Sequence, residues 1–180
     1  MTMKNMYIKP LLISVFLLVL SCEKEKSDLP IELEFHLLDE NGVPSTVFQE
    51  GLNFRFCFII RNKSSEDIGY IPDFINDDFF RVYRIDSSEG VVSKGKPYEN
   101  FFCEYSGTHF IVPSGDERRL EIPWIPSEDF CCSPFCIVNP SIVALPKGKY
   151  KTFIEGPFNF MYKDKPLSIN DRFEIVFEIQ

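Results

Sequence analysis

The chain has 180 residues and a mass of 21.0 kDa, enough for one ordinary domain with a core of its own. Its 44% hydrophobic and 26% charged content is that of folded chains and excludes a disordered or collagen-like polymer. A formal net charge of -8 repels phosphate backbones, so no nucleic-acid partner is expected.

Lys4 and Lys9 precede an unbroken apolar run from Leu11 to Leu20, with Ser14 its only polar residue. A membrane-spanning helix needs roughly 20 apolar residues, so this run is too short for a permanent span and fits a secretion signal over residues 1–21. The sequence Val19-Leu20-Ser21-Cys22 resembles the lipobox of bacterial lipoproteins. That resemblance implies that Cys22 is acylated, becomes the mature N-terminus and holds the protein to a membrane. Each buried methylene of such an anchor adds roughly 0.8 kcal/mol, and several chains together hold almost permanently. Residues 22–29 then read as a flexible, charged tether. Its lysines and acidic residues resemble the surface-export signal of some Gram-negative lipoproteins, which implies an outer-membrane lipoprotein on the cell surface or the periplasmic face.

From residue 30 to 180 the pattern is that of strands. Ile31, Leu33, Phe35 and Leu37 alternate with Glu32, Glu34 and His36. Leu52, Phe54, Phe56, Phe58 and Ile60 alternate with Asn53, Arg55, Cys57, Ile59 and Arg61, a period of two that predicts one buried face. Shorter strands are expected over Phe79 to Ile85, Thr108 to Val112, Arg118 to Ile122 and Lys149 to Glu155, followed by a hairpin-like stretch from Phe158 to Tyr162. Phe173, Ile175, Phe177 and Ile179 alternate again at the end of the chain. Turn clusters such as Asn41-Gly42 and Ser114-Gly115-Asp116 separate these segments, and no long window carries a helical period. Many short strands imply an all-β fold, a sandwich or a barrel.

Pro146 and Gly148 come just before Tyr150, which opens a strand, the arrangement of a tyrosine corner. This favours an immunoglobulin-like antiparallel β-sandwich over residues 30–180. The 19 phenylalanines of the full chain are ample material for a core between two sheets. Glu50-Gly51-Leu52-Asn53-Phe54, Ile60 to Ile68, Asp78 to Tyr83 with Gly90, Val112 to Glu117 with Leu120 and Trp124, and Leu145 to Tyr150 follow one another in an order that resembles the domain of the intracellular proteinase inhibitor family. The similarity covers roughly Thr46 to Glu155 and implies a sandwich topology, with proteinase inhibition as an alternative function. The chain departs from that pattern in an insertion-like stretch from Phe130 to Ala144 and in its signal peptide.

With Cys22 assigned to lipid, Cys57, Cys103, Cys131, Cys132 and Cys136 remain, an odd number for an oxidising compartment. A bridge between the neighbours Cys131 and Cys132 would strain the backbone, so Cys136 is expected to bridge one of them and Cys103 the other. Cys57, in mid-strand, is expected to be a covered free thiol. The cysteine cluster with His109 does not have the spacing of a zinc site, and neither a metal nor any other cofactor is expected. Asp73, Asn76, Asp77 and Asp78 do not fit a calcium loop and read as a solvated turn. No nucleophile elbow, metalloprotease pair or phosphate-binding glycine loop is present, so no catalytic residue is assigned. The expected function is a non-catalytic binding or protein-interaction module for a protein or glycan partner. A glycan site would present Trp124 or several tyrosines coplanar and exposed, and a protein-binding site an exposed apolar patch on a loop or strand edge.

Overall fold

Residues 29–101, 110–127 and 137–180 are described by a computed structural model. In chain order the strands are β1 (Ile31–Leu38), β2 (Val47–Phe48), β3 (Arg55–Asn62), β4 (Ile68–Tyr70), β5 (Val82–Ser87), β6 (Gly90–Gly95) and β7 (Tyr98–Phe101). They continue with β8 (Phe110–Val112), β9 (Glu117–Pro123), β10 (Ile137–Pro140), β11 (Gly148–Glu155), β12 (Phe158–Tyr162), β13 (Lys165–Ile169) and β14 (Arg172–Ile179).

Two sheets form the sandwich. One has the order β1-β3-β9 and the other β2-β14-β11-β5-β6, all antiparallel except the short parallel pair of β2 with β14. The second sheet follows the G-F-C-C′ order of an immunoglobulin-like sandwich, and β3 beside β9 takes the place of its B and E strands. The chain is therefore an immunoglobulin-like antiparallel β-sandwich.

Alternation in β3 does what the sequence predicts from Phe54 onward. Phe54, Phe56, Phe58 and Ile60 are buried between the sheets, where Phe56 stacks on Phe80 at 4.8 Å and Phe58 on Phe158 at 5.3 Å. Burying each such ring stabilises the fold by roughly 1.5 to 3 kcal/mol. The opposite face is not simply wet. Cys57 and Ile59 are buried with Leu38 in a small second cluster. Outside that cluster runs a lattice of ion pairs in which Arg61 meets Glu32, Glu34 and Glu117, and Arg119 meets Glu117 and Glu121.

Two expectations need correction. Leu52 does not join the buried face: it lies in a turn closed by its own amide on the carbonyl of Gln49, and half of its surface is exposed. The segment beginning at Phe79 is not a strand until Val82. The amides of Phe79 and Arg81 bond back to the carbonyls of Asn76 and Asp78, and Phe80 sits at φ 61°, where no extended strand can run. Both rings are nevertheless buried, so their apolar character serves the core from within a turn.

Register fixes two poles. At one, the first residue of β1, Ile31, pairs with Asn62; at the other, Leu38 pairs with Arg55 and Arg55 with Pro123. Eight residues of strand separate them by about 26 Å. A third sheet, β13-β12-β4-β8, caps the first pole and is built from the segments that connect the sandwich strands there. The chain enters at this pole, where the amide of Lys63 bonds to the carbonyl of Pro30.

Candidate functional site

The pole opposite the chain entry gathers the turn at residues 39–43, the turn at 49–53, the end of β9 and the segment before β11. Val43, Leu52, Ile142 and Val143 all lie here and are at least half exposed, Ile142 to 82%. The segment from Ser141 to Lys147 has no regular secondary structure but is firmly braced. Its first amide donates to the carbonyl of Pro97, and the indole nitrogen of Trp124 donates to the carbonyl of Val143 at 2.9 Å. Leu145 is buried as an anchor. The Tyr150 hydroxyl donates to the carbonyl of Pro146, the bond of a tyrosine corner, and the amide of Lys147 donates to a carboxylate oxygen of Glu50 at 3.1 Å. A loop held at so many points presents two aliphatic side chains at little cost in conformational entropy. A shallow hollow of about 170 Å³ opens beside it between Asp39, Asn41, Val47 and Leu52.

The reason for this loop is local chemistry. Pro146 and Gly148, at φ 154°, turn the chain into β11, and Tyr150 fixes the turn from the core side. Leu145 and Trp124 fill the space beneath, and Trp124 stacks on Phe54 with planes 5° apart. The exposed Ile142 and Val143 fall within the insertion-like stretch of the sequence, where the absence of periodicity gave no sign of a displayed surface.

Trp124 is 3% exposed and therefore offers no face to a sugar ring. Tyr70, Tyr98 and Tyr150 are buried too. On the outer face of the larger sheet, Tyr83 stacks on Phe153 at 5.7 Å, and the Arg172 guanidinium lies 4.3 Å from the same Phe153 ring. Since β11 runs between β5 and β14, Phe153 is held between the two, and both of its faces are occupied. The acidic turn finds its partners within the chain. Asp77 pairs with Lys96 and Arg81, which hold its carboxyl below the usual range; Asp78 pairs with Arg81, and Asp73 accepts from Asn159.

The remaining chemical groups are structural where they can be seen. Cys57 is a buried free thiol pushed up to about 12, first by burial and then by the charge and hydrogen bond of Glu121. His36 bonds to Glu34 at 3.0 Å, and this bond, together with Arg61, holds the Glu34 carboxyl below its ordinary range. Glu117 is lowered in the same way by Arg119 and then Arg61. Among the described residues no group of three His, Cys, Asp or Glu side chains could hold a metal ion, and no helix is long and apolar enough to cross a membrane. Cys22, the bridge candidates Cys103, Cys131, Cys132 and Cys136, and His109 lie outside the described residues.

No family profile matches the chain, and no curated protein matches it. Among solved structures it is similar to an ASH/PapD-like domain of human CEP192, at 11% identity and a TM-score of 0.41, covering 100% of this chain and 97% of that one. A second similar structure, an X-ray target of a structural genomics consortium, shares 10% identity at a TM-score of 0.35 over 83% of this chain and 88% of the other.

Proposed function

We propose that the protein is an exported, lipid-anchored bacterial lipoprotein of the Gram-negative outer membrane that works as a non-catalytic binding module. Its partner is another protein, and its contact surface is the pole carrying Leu52, Ile142 and Val143. The observation behind this reading is the placement of those exposed aliphatic side chains on the pole about 26 Å from the chain entry, where a tether from Cys22 would hold them away from the membrane.

The test has two arms. Labelled palmitate should enter the wild-type protein and not the Cys22→Ala variant, which tests the anchor. A photo-crosslinking side chain placed at Val143 should capture a discrete partner in cells, whereas the same group at Lys163, on the β12–β13 turn at the other pole, should not. Equal capture at both positions, or none at Val143, overturns the assignment of the surface.

A second reading, a proteinase-inhibitor-like domain, is favoured by the bracing of the Ser141 to Lys147 segment, because an inhibitory loop must keep its shape while a proteinase closes on it. Titration against serine proteinases that prefer aliphatic residues decides it: inhibition lost in Val143→Asp supports it, and no inhibition at any molar ratio removes it. The glycan alternative receives no support from the aromatic side chains described above.

A further inference from the structure

We propose that the open edge of β14 is a second binding site, distinct from the aliphatic pole, and that it takes an extended peptide segment with apolar residues at alternate positions. Along its whole length β14 pairs with β11, but on its other side it meets only β2, at Glu178 and Ile179. The amides of Glu178 and Gln180 donate across to the carbonyls of Thr46 and Phe48. Alternate residues of a strand turn their backbone groups to the same side, so Glu174 and Val176 aim their N–H and C=O at that edge as well. Among the described residues no strand pairs with them there, and β1 of the facing sheet passes nearby without a hydrogen-bonded register. The Arg172 amide, by contrast, is already taken by the Asp171 side chain.

The space beside this edge is shaped for side chains. A groove of about 510 Å³ runs between β14 and β1, lined by Phe35, His36, Leu37, Thr46 and Ile175. Ile175 and Phe173 are half-buried and lean on the main core. A strand laid along β14 in line with β2 would drop every second side chain into this slot, against Phe35, Leu37 and Ile175 with the polar Ser45 and Thr46 beside them, while the others would meet the exposed Val176 outside. Backbone bonds would hold the peptide, and the slot would select its alternate residues.

Two other occupants fit worse. The chain's own tether, Glu23 to Asp28, has no apolar side chain to fill the slot. A second copy would pair β14 antiparallel with itself, as a two-fold axis requires, and would put the two chain entries at opposite poles. If both copies are anchored at Cys22 in one membrane, that arrangement separates their anchors, an argument that rests on the lipid-anchor reading.

Amide hydrogen exchange on the purified full chain in detergent micelles tests the inference. The probe is a capped heptapeptide alternating threonine and valine. Without it, Glu174 and Val176 should exchange freely while Phe173, Ile175 and Phe177 are protected by β11; with it, Glu174 and Val176 should slow by about tenfold or more. The same peptide N-methylated at alternate residues should have no effect, a control that needs no variant to fold. Val176→Pro removes one of the edge donors and should weaken the effect at Glu174. Unchanged exchange, equal slowing by the methylated peptide, or slowing that rises with protein concentration alone overturns the proposal, the last by pointing to a second copy. Palmitate labelling at Cys22 is read separately, so a failure of the anchor and a failure of this site remain distinguishable.

Discussion

The two poles of the sandwich handle their backbone in opposite ways. At the pole where the chain enters, connections have become a sheet whose strands pair with one another, and Asn62 ties its turns together. The Asn62 amide nitrogen alone donates to the carbonyls of Glu66, Val112 and Pro113, and its oxygen accepts from the amide and hydroxyl of Ser64. At the far pole side chains such as Trp124, Tyr150 and Glu50 brace the backbone, but the side chains above it are aliphatic and exposed. The entry pole exposes a single large aliphatic side chain among the described residues, Ile111 at 54%, whereas the far pole exposes four together while its loop keeps its shape.

Substitutions can break or sharpen this contrast. Phe158, stacked on Phe58 and packed on Phe74 beneath the third sheet, should cost about 3 to 5 kcal/mol when changed to Ala, measured by chemical denaturation. Asn62→Ala should cost about 2 kcal/mol, because it strands the buried Val112 carbonyl and takes a donor from the partly buried carbonyls of Glu66 and Pro113. Tyr150→Phe removes the bond to Pro146 and should cost about 1 kcal/mol, with the loss felt first in the Ser141 to Lys147 segment by hydrogen exchange. The double change Ile142→Ser with Val143→Ser should leave stability within about 0.5 kcal/mol while abolishing crosslinking to a partner. A large destabilisation there would make the far pole as structural as the near one and erase the contrast.

Cys57 adds a pH signature on the outer face of the smaller sheet. Its folded thiol is raised from 9.0 to about 12, so the unfolded chain loses this proton first as pH rises. The stabilisation is fully present below about pH 9 and is lost between there and about pH 12. Cys57→Ala should flatten that alkaline limb of a pH–stability profile, and native Cys57 should resist alkylation until the chain is unfolded.

The sandwich was largely legible in the sequence: β1, β3 and β14 appear where a period of two predicts them, and β11 matches the shorter strand expected over Lys149 to Glu155. The third sheet was legible only in part: β8 falls within the expected stretch Thr108 to Val112 and β12 matches Phe158 to Tyr162, whereas β4, with three residues, cannot display a period. Phe79 and Phe80 misled for the opposite reason: two large apolar residues beside Val82 look like strand, yet a turn that starts at Asn76 delivers them to the core. The far-pole surface was invisible because exposure of Leu52, Ile142 and Val143 depends on where neighbouring turns end, not on the residues themselves. Alternation likewise could not reveal that β14 keeps one free edge, which is a property of what β2 leaves unpaired.

Trp124 gives the protein a built-in optical reporter. It is the only tryptophan in the chain, its ring lies flat on Phe54, and its N–H is tied to the carbonyl of Val143 directly below the displayed loop. Any molecule that grips Val143 must pull on that tie, so the intrinsic fluorescence of the unlabelled protein should change in colour or lifetime when the far pole is covered, whereas engagement of the edge of β14 should leave the emission unchanged.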